Sequence, residues 1–118
     1  MRFISIDYDG TITHDDYPRS GTIKKDAADA INKLYDQGYQ ILIWTCRSGE
    51  PLDIAKQYLA ECGVKYHYIN ENHPALIEKY GCDCRKQSAD VYIDDKAILG
   101  IPKDWIAIYR LIKKKVPL

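Results

Sequence analysis

Apolar and polar residues come in blocks along the chain, and the blocks change period. Arg2 to Ile6 is a short apolar run that reads as a strand. After a polar turn, Ile23, Ala27, Ala30, Ile31 and Leu34 recur at helical spacing, with Gly38 placed as a C-terminal cap. Tyr39 to Trp44 (YQILIW) is an apolar run broken only by Gln40, the pattern of a strand covered on both faces. Pro51 suits the first turn of a second helix, which runs through Leu52, Ala55, Tyr58 and Leu59 and stops at Gly63. Val64 to Ile69 reads as a third strand and Pro74 to Tyr80 as a short helix closed by Gly81. Asp90 to Ile93 and Trp105 to Tyr109 (WIAIY) complete five strand candidates. This alternation predicts an α/β fold: a Rossmann-like three-layer sandwich around a five-stranded, mainly parallel sheet.

Ligands of open parallel sheets bind beyond the carboxyl ends of the strands, so the residues at those ends carry the functional information. The first predicted strand is followed by Asp7, Asp9, Gly10 and Thr11; the second by Thr45, Cys46 and Arg47. The third ends in Asn70 and Glu71, the fourth in Asp94 and Asp95. In an extended segment Asp7 and Asp9 point to one side, roughly 7 Å apart. Two carboxylates aimed one way repel unless a cation lies between them or one holds a proton. A second acidic pair at the same edge makes a cation more necessary still. Oxygen donors without histidine or cysteine favour Mg2+ over zinc. Gly10 permits a tight turn, and backbone amides beside Thr45 are placed to cradle an anion.

Charge and composition narrow the partner. The 118 residues fit one domain, 1–118, with 17 basic and 17 acidic side chains. That balance gives no footprint for bulk binding of nucleic acid. No apolar stretch is long enough for a signal peptide or a membrane span, so a cytoplasmic location without membrane attachment is expected. Cys46, Cys62, Cys82 and Cys84 lack paired C-x-x-C spacing and are expected to be reduced and mostly buried. A soft-metal site using Cys82, Cys84 and His73 is the alternative reading. The tail LIKKKVPL reads as a frayed, solvated end.

DYDGT (Asp7 to Thr11) after an apolar strand, Thr45 within IWTCR, Lys86, and VYIDD ending in Asp94 and Asp95 occur in this order. Together they resemble the four motifs of the haloacid dehalogenase-like hydrolases, over about residues 2 to 97. The resemblance implies that Asp7 is a nucleophile forming an aspartyl-phosphate and that Asp9 is the general acid and base. It implies that Thr45 hydrogen-bonds a phosphoryl oxygen and that Lys86, with Lys79 and Arg85 as competitors, offsets negative charge. Asp94 would ligate Mg2+ with Asp7 and the backbone carbonyl of Asp9, and Asp95 would support the metal directly or through water.

An aspartate at position 9 matches the phosphatase branch of that family, since relatives that cleave carbon–halogen or phosphonate bonds lack this acid and transport ATPases carry threonine. The intervals between motifs leave no room for a cap domain. A capless phosphatase of a small phosphate ester is therefore expected; the resemblance also implies a homo-oligomer in which a second copy covers the open site. Two alternatives remain: a receiver-like signalling domain that stores phosphate on aspartate, and a phosphatase of nucleic-acid ends or phosphoproteins. Arg47 is a candidate for a second anionic group of the substrate. Asn70, Glu71 and Asn72 are placed to read hydroxyls, with capping of the helix at Pro74 as the alternative for Asn72. His14 to Tyr17 form a flap without assigned chemistry, and Lys96 and the tyrosines read as packing or surface.

Overall fold

A computed structural model describes residues 1–118. Its sheet consists of β1 (Phe3–Ile6), β2 (Gln40–Ile43), β3 (Tyr68–Ile69) and β4 (Val91–Ile93), all parallel, in the order β3-β2-β1-β4. Four helices connect and cover it: α1 (Ala27–Asp36), α2 (Gly49–Glu61), α3 (Pro74–Tyr80) and α4 (Trp105–Lys115). The strand faces are unequal. Ile4, Ile6, Ile41 and Ile43 share one core with Ala27, Ile31 and Leu34 of α1, Ala55 and Leu59 of α2, and Trp105, Ile108 and Ile112 of α4. On the opposite face Phe3 and Leu42 pack on Leu76 of α3. Three layers result, so the Rossmann-like α/β class holds.

The sheet has four strands instead of five. WIAIY opens α4, because the Asp104 side chain accepts the Ala107 amide at 2.8 Å and caps the helix. Trp105, Ile108 and Ile112 are buried while Ile106 is exposed, a helical spacing that a five-residue apolar run conceals. The Lys113–Lys115 triplet occupies the last helical turn, where cations suit the helix dipole. That end is anchored: Val116 is buried and its carbonyl accepts from the Tyr39 hydroxyl at 2.8 Å. It is not the frayed tail expected.

Strand three is only two residues long, since Val64 to His67 form an irregular approach in which His67 and Ile41 exchange hydrogen bonds with the sheet edge. Nor are the cysteines mostly buried: Cys46, Cys82 and Cys84 are exposed and Cys62 is half-buried. No helix is long and apolar enough to cross a membrane.

Topology fixes what meets at the carboxyl edge. β1 lies between β2 and β4, with Ile6 level with Ile43 on one side and Ile93 on the other. The residues that follow these three rungs therefore emerge side by side.

Candidate active site

Asp7 follows Ile6, and its amide donates to the Ile93 carbonyl at 2.9 Å, which extends the β1–β4 ladder by one step and sets Asp7 beside Asp94. Beyond it the chain folds into a tight turn in which the amides of Thr11, Ile12 and Thr13 all point to the Tyr8 carbonyl. Gly10 takes a φ of +82°, and a side chain at this position would strike the Asp95 carboxylate, with Cγ 2.8 Å from the added carbon. Only glycine lets the second acidic pair approach the first this closely.

Thr11 ties the two acidic segments together. Its hydroxyl donates to Asp7 Oδ2 at 3.0 Å and accepts the Asp95 amide at 3.0 Å. Its carbonyl in turn accepts the buried Trp105 indole N–H at 3.0 Å, which links the turn to α4. Carboxylate oxygens of Asp7, Asp94 and Asp95 lie within 4.8 Å of one another, and no other group of three or more histidine, cysteine or acidic residues converges in this way. The Asp7 carboxyl is pushed from 3.8 up to about 7, first by burial, then by its hydrogen bond with Asp95 and by the charge of Asp94. Like charges 4 Å apart repel by about 4 kcal/mol at an effective dielectric of 20. An all-oxygen donor set this crowded fits a hard divalent cation.

These carboxylates open into a cleft of about 360 Å³ that Asp9, Thr45, Asp15, Tyr17 and Lys96 also line. That volume suits a small molecule. Thr45 is fixed from below: its amide donates to Asn70 Oδ1 at 2.8 Å, and its hydroxyl oxygen accepts the Arg47 amide at 3.1 Å. The hydroxyl proton of Thr45 is thus left to donate into the cleft. Asn70, at a φ of +58°, also donates through Nδ2 to the Arg47 carbonyl at 3.2 Å. It braces the Thr45–Arg47 turn rather than reading substrate hydroxyls. Asn72 does not cap α3 either; His73 does, accepting from the Ala75 amide. The Asn72 amide group instead holds the 83–88 segment through Asp83, Cys84 and Ser88.

Arg47 and Lys86 do not take the places expected of them, and the Asp9 side chain, though it lines the cleft, is held in an ion pair. The Asp9 carboxylate lies outside the three-aspartate cluster, because Arg47 holds both its oxygens, at 2.7 and 2.8 Å. Only its backbone carbonyl remains for the metal role expected of it. Arg47 itself is buried, at 2% exposure, with its donors turned to Asp9 and to backbone carbonyls, which contradicts a role in gripping a substrate anion.

Lys86 is not brought to the cleft. Its Nζ sits 4.2 Å from the centre of the Tyr92 ring, and the Tyr92 hydroxyl donates to the Gln87 carbonyl at 2.7 Å. The inward side chain of that segment is Gln87, fully buried between Ser5, the Ile43 carbonyl and the Glu71 carbonyl. Lys79 lies over Tyr80 and Arg85 pairs with Asp83. The lysine that does line the cleft is Lys96, whose amide donates to Asp94 Oδ1 at 2.9 Å.

A parallel α/β sheet whose neighbouring strands β1 and β4 deliver three aspartates to one cleft presents a candidate cation site. The profile of a haloacid dehalogenase-like hydrolase family matches residues 4–95, and the chain belongs to that family. It is similar, at 35% identity and a TM-score of 0.85, to a solved structure described as that of a conserved protein coded by a locus from Bacteroides thetaiotaomicron. The similarity covers 97% of this chain and 91% of the other. No curated protein matches.

Proposed function

We propose that this hydrolase is a magnesium-dependent phosphatase of a small phosphate ester, acting through an aspartyl-phosphate on Asp7. The observation that carries the reading is the convergence of Asp7, Asp94 and Asp95 within 4.8 Å in the cleft that Asp9 and Thr45 also line. Asp7, Asp94 and Asp95 would hold the cation, which supplies positive charge against the phosphoryl oxygens and the nucleophile.

In the first step an Asp7 oxygen attacks phosphorus, the bond from phosphorus to the ester oxygen breaks, and the Asp9 carboxyl gives its proton to the departing oxygen. Thr45 donates its hydroxyl hydrogen to a phosphoryl oxygen. In the second step water attacks phosphorus, its proton passes to the Asp9 carboxylate, and the bond to Asp7 breaks to release phosphate. Both protonation states of Asp9 are restored over one cycle. Lys96, by its place at the cleft, takes the charge-offsetting role that the motif order gives to Lys86.

The reading is tested by turnover of 4-nitrophenyl phosphate with and without Mg2+, for the native chain and Asp7→Asn. Magnesium-dependent, multiple turnover that the variant lacks is expected. Undiminished turnover by Asp7→Asn excludes the nucleophile, and a single phosphoryl transfer without release favours the signalling-receiver alternative.

A further inference from the structure

Arg47 is a buried charged side chain that the proposed reaction does not use. Its side chain is 1% exposed, and it donates to five acceptors. Nε donates to Asp9 Oδ2 at 2.7 Å, and Nη2 to Asp9 Oδ1 at 2.8 Å and to the Arg19 carbonyl at 2.6 Å. Nη1 donates to the carbonyls of Pro18 at 3.0 Å and Pro51 at 2.9 Å. The guanidinium carbon also lies 5.2 and 5.1 Å from the ring centres of Tyr8 and Tyr17. A guanidinium has five N–H donors, so none is left for a ligand. Burying such a group is costly unless every donor is paired, as here.

The planar fork meets the carboxylate bidentately, which fixes both the direction of Asp9 and the plane of its oxygens. The fork is in turn pinned from two unrelated segments, the loop at Pro18 and Arg19 and the first turns of α2 at Pro51. The Asp9 side chain is 20% exposed, and it borders the cleft. We propose that Arg47 is a positioning residue: it aims the Asp9 carboxyl at the leaving-group oxygen and ties that aim to the 15–20 loop and the start of α2. This inference rests on the phosphatase reading above.

An acid that is misaimed matters most when the leaving oxygen is a poor one. The experiment measures kcat and KM in Mg2+ for a good leaving group, 4-nitrophenyl phosphate, and a poor one, glycerol 2-phosphate. It compares the native chain with Asp9→Asn, Arg47→Ala, Arg47→Lys and the double variant Asp9→Asn with Arg47→Ala. On glycerol 2-phosphate, kcat is expected to fall about 10²- to 10⁴-fold in Asp9→Asn, the range for general acid–base catalysis, with Arg47→Ala following it. On 4-nitrophenyl phosphate both fall far less.

The double variant should match Asp9→Asn within about threefold, because both changes remove one function. Arg47→Lys, which keeps the charge and loses the fork, should side with Arg47→Ala; if the alanine variant does not fold, the lysine variant carries the comparison. Equal losses on the two esters, additive losses in the double variant, or a raised KM at unchanged kcat overturn the positioning role alone. A native chain that turns over neither ester overturns the phosphatase reading itself.

Discussion

The backbone amide of Asp7 donates to the carbonyl of Ile93 at 2.9 Å, so the β1 and β4 ends stand level and their aspartates share one cleft. This bond converts two acidic stretches, 87 positions apart from Asp7 to Asp94, into one cluster. The crowding is tolerable only with a cation or a proton among the three carboxyls.

Stability should therefore depend on pH in a defined sense. The Asp7 carboxyl is raised in the fold to about 7 from an ordinary 3.8, so the folded state binds the extra proton between these values. Its contribution is fully present below pH 3.8 and is lost as pH rises through about 7. In metal-free protein the melting temperature of Asp7→Asn relative to the native chain should climb from about pH 4 to about pH 7 and then level off. Added Mg2+ should raise the melting temperature of the native chain at pH 7.5, and not that of Asp7→Asn. A difference that stays flat with pH contradicts the coupling.

Gly10→Ala should be destabilised by about 1–3 kcal/mol, the usual cost of holding a non-glycine residue in a strained conformation. The added methyl also drives against Asp95. Urea denaturation measures the first effect, and a weakened Mg2+ response in thermal melts measures the second.

Trp105→Phe removes the indole N–H that the Thr11 carbonyl accepts. A loss of about 1–3 kcal/mol is expected for a buried acceptor left unpaired. Because Thr11 holds both Asp7 and Asp95, kcat should fall as well, although Trp105 lies in α4 and its indole is buried. Unaltered kcat in a destabilised variant would confine Trp105 to packing.

The two lysines give opposite expectations. Lys96→Ala should raise KM for 4-nitrophenyl phosphate about tenfold or more, since it removes a cation at the cleft. Lys86→Ala, which removes a contact over Tyr92, should stay within about threefold. The reverse ranking would mean that the 81–88 segment rearranges when substrate binds.

Much of this site was legible in the sequence because strand ends announce themselves: an apolar run that stops at Asp7, Thr45 or Asp94 puts a polar side chain at the edge where parallel sheets bind ligands. The α1, α2 and α3 regions were legible from spacing and from Pro51, Pro74 and Gly81. WIAIY was misread because a buried pair at Trp105 and Ile108 leaves a five-residue window with too few turns to show its period, and the Asp104 cap was the overlooked signal. Lys86 and Gln87 differ by one position, and which of them turns inward depends on the Asn72 and Tyr92 contacts, which spacing does not encode. Arg47 read as a substrate-binding group for the same reason: its partners come from Asp9, Pro18, Arg19 and Pro51, and only the fold assembles them.

In the proposed reaction Asp7 takes the phosphoryl group in a cation-dependent step. Acid quenching of the protein during turnover of 4-nitrophenyl phosphate, followed by peptide mass spectrometry, tests it most directly. Phosphoryl on Asp7 in the presence of Mg2+, absent after chelation, is the predicted result. Continued turnover with Asp7 unmodified, or phosphoryl on another residue, contradicts it.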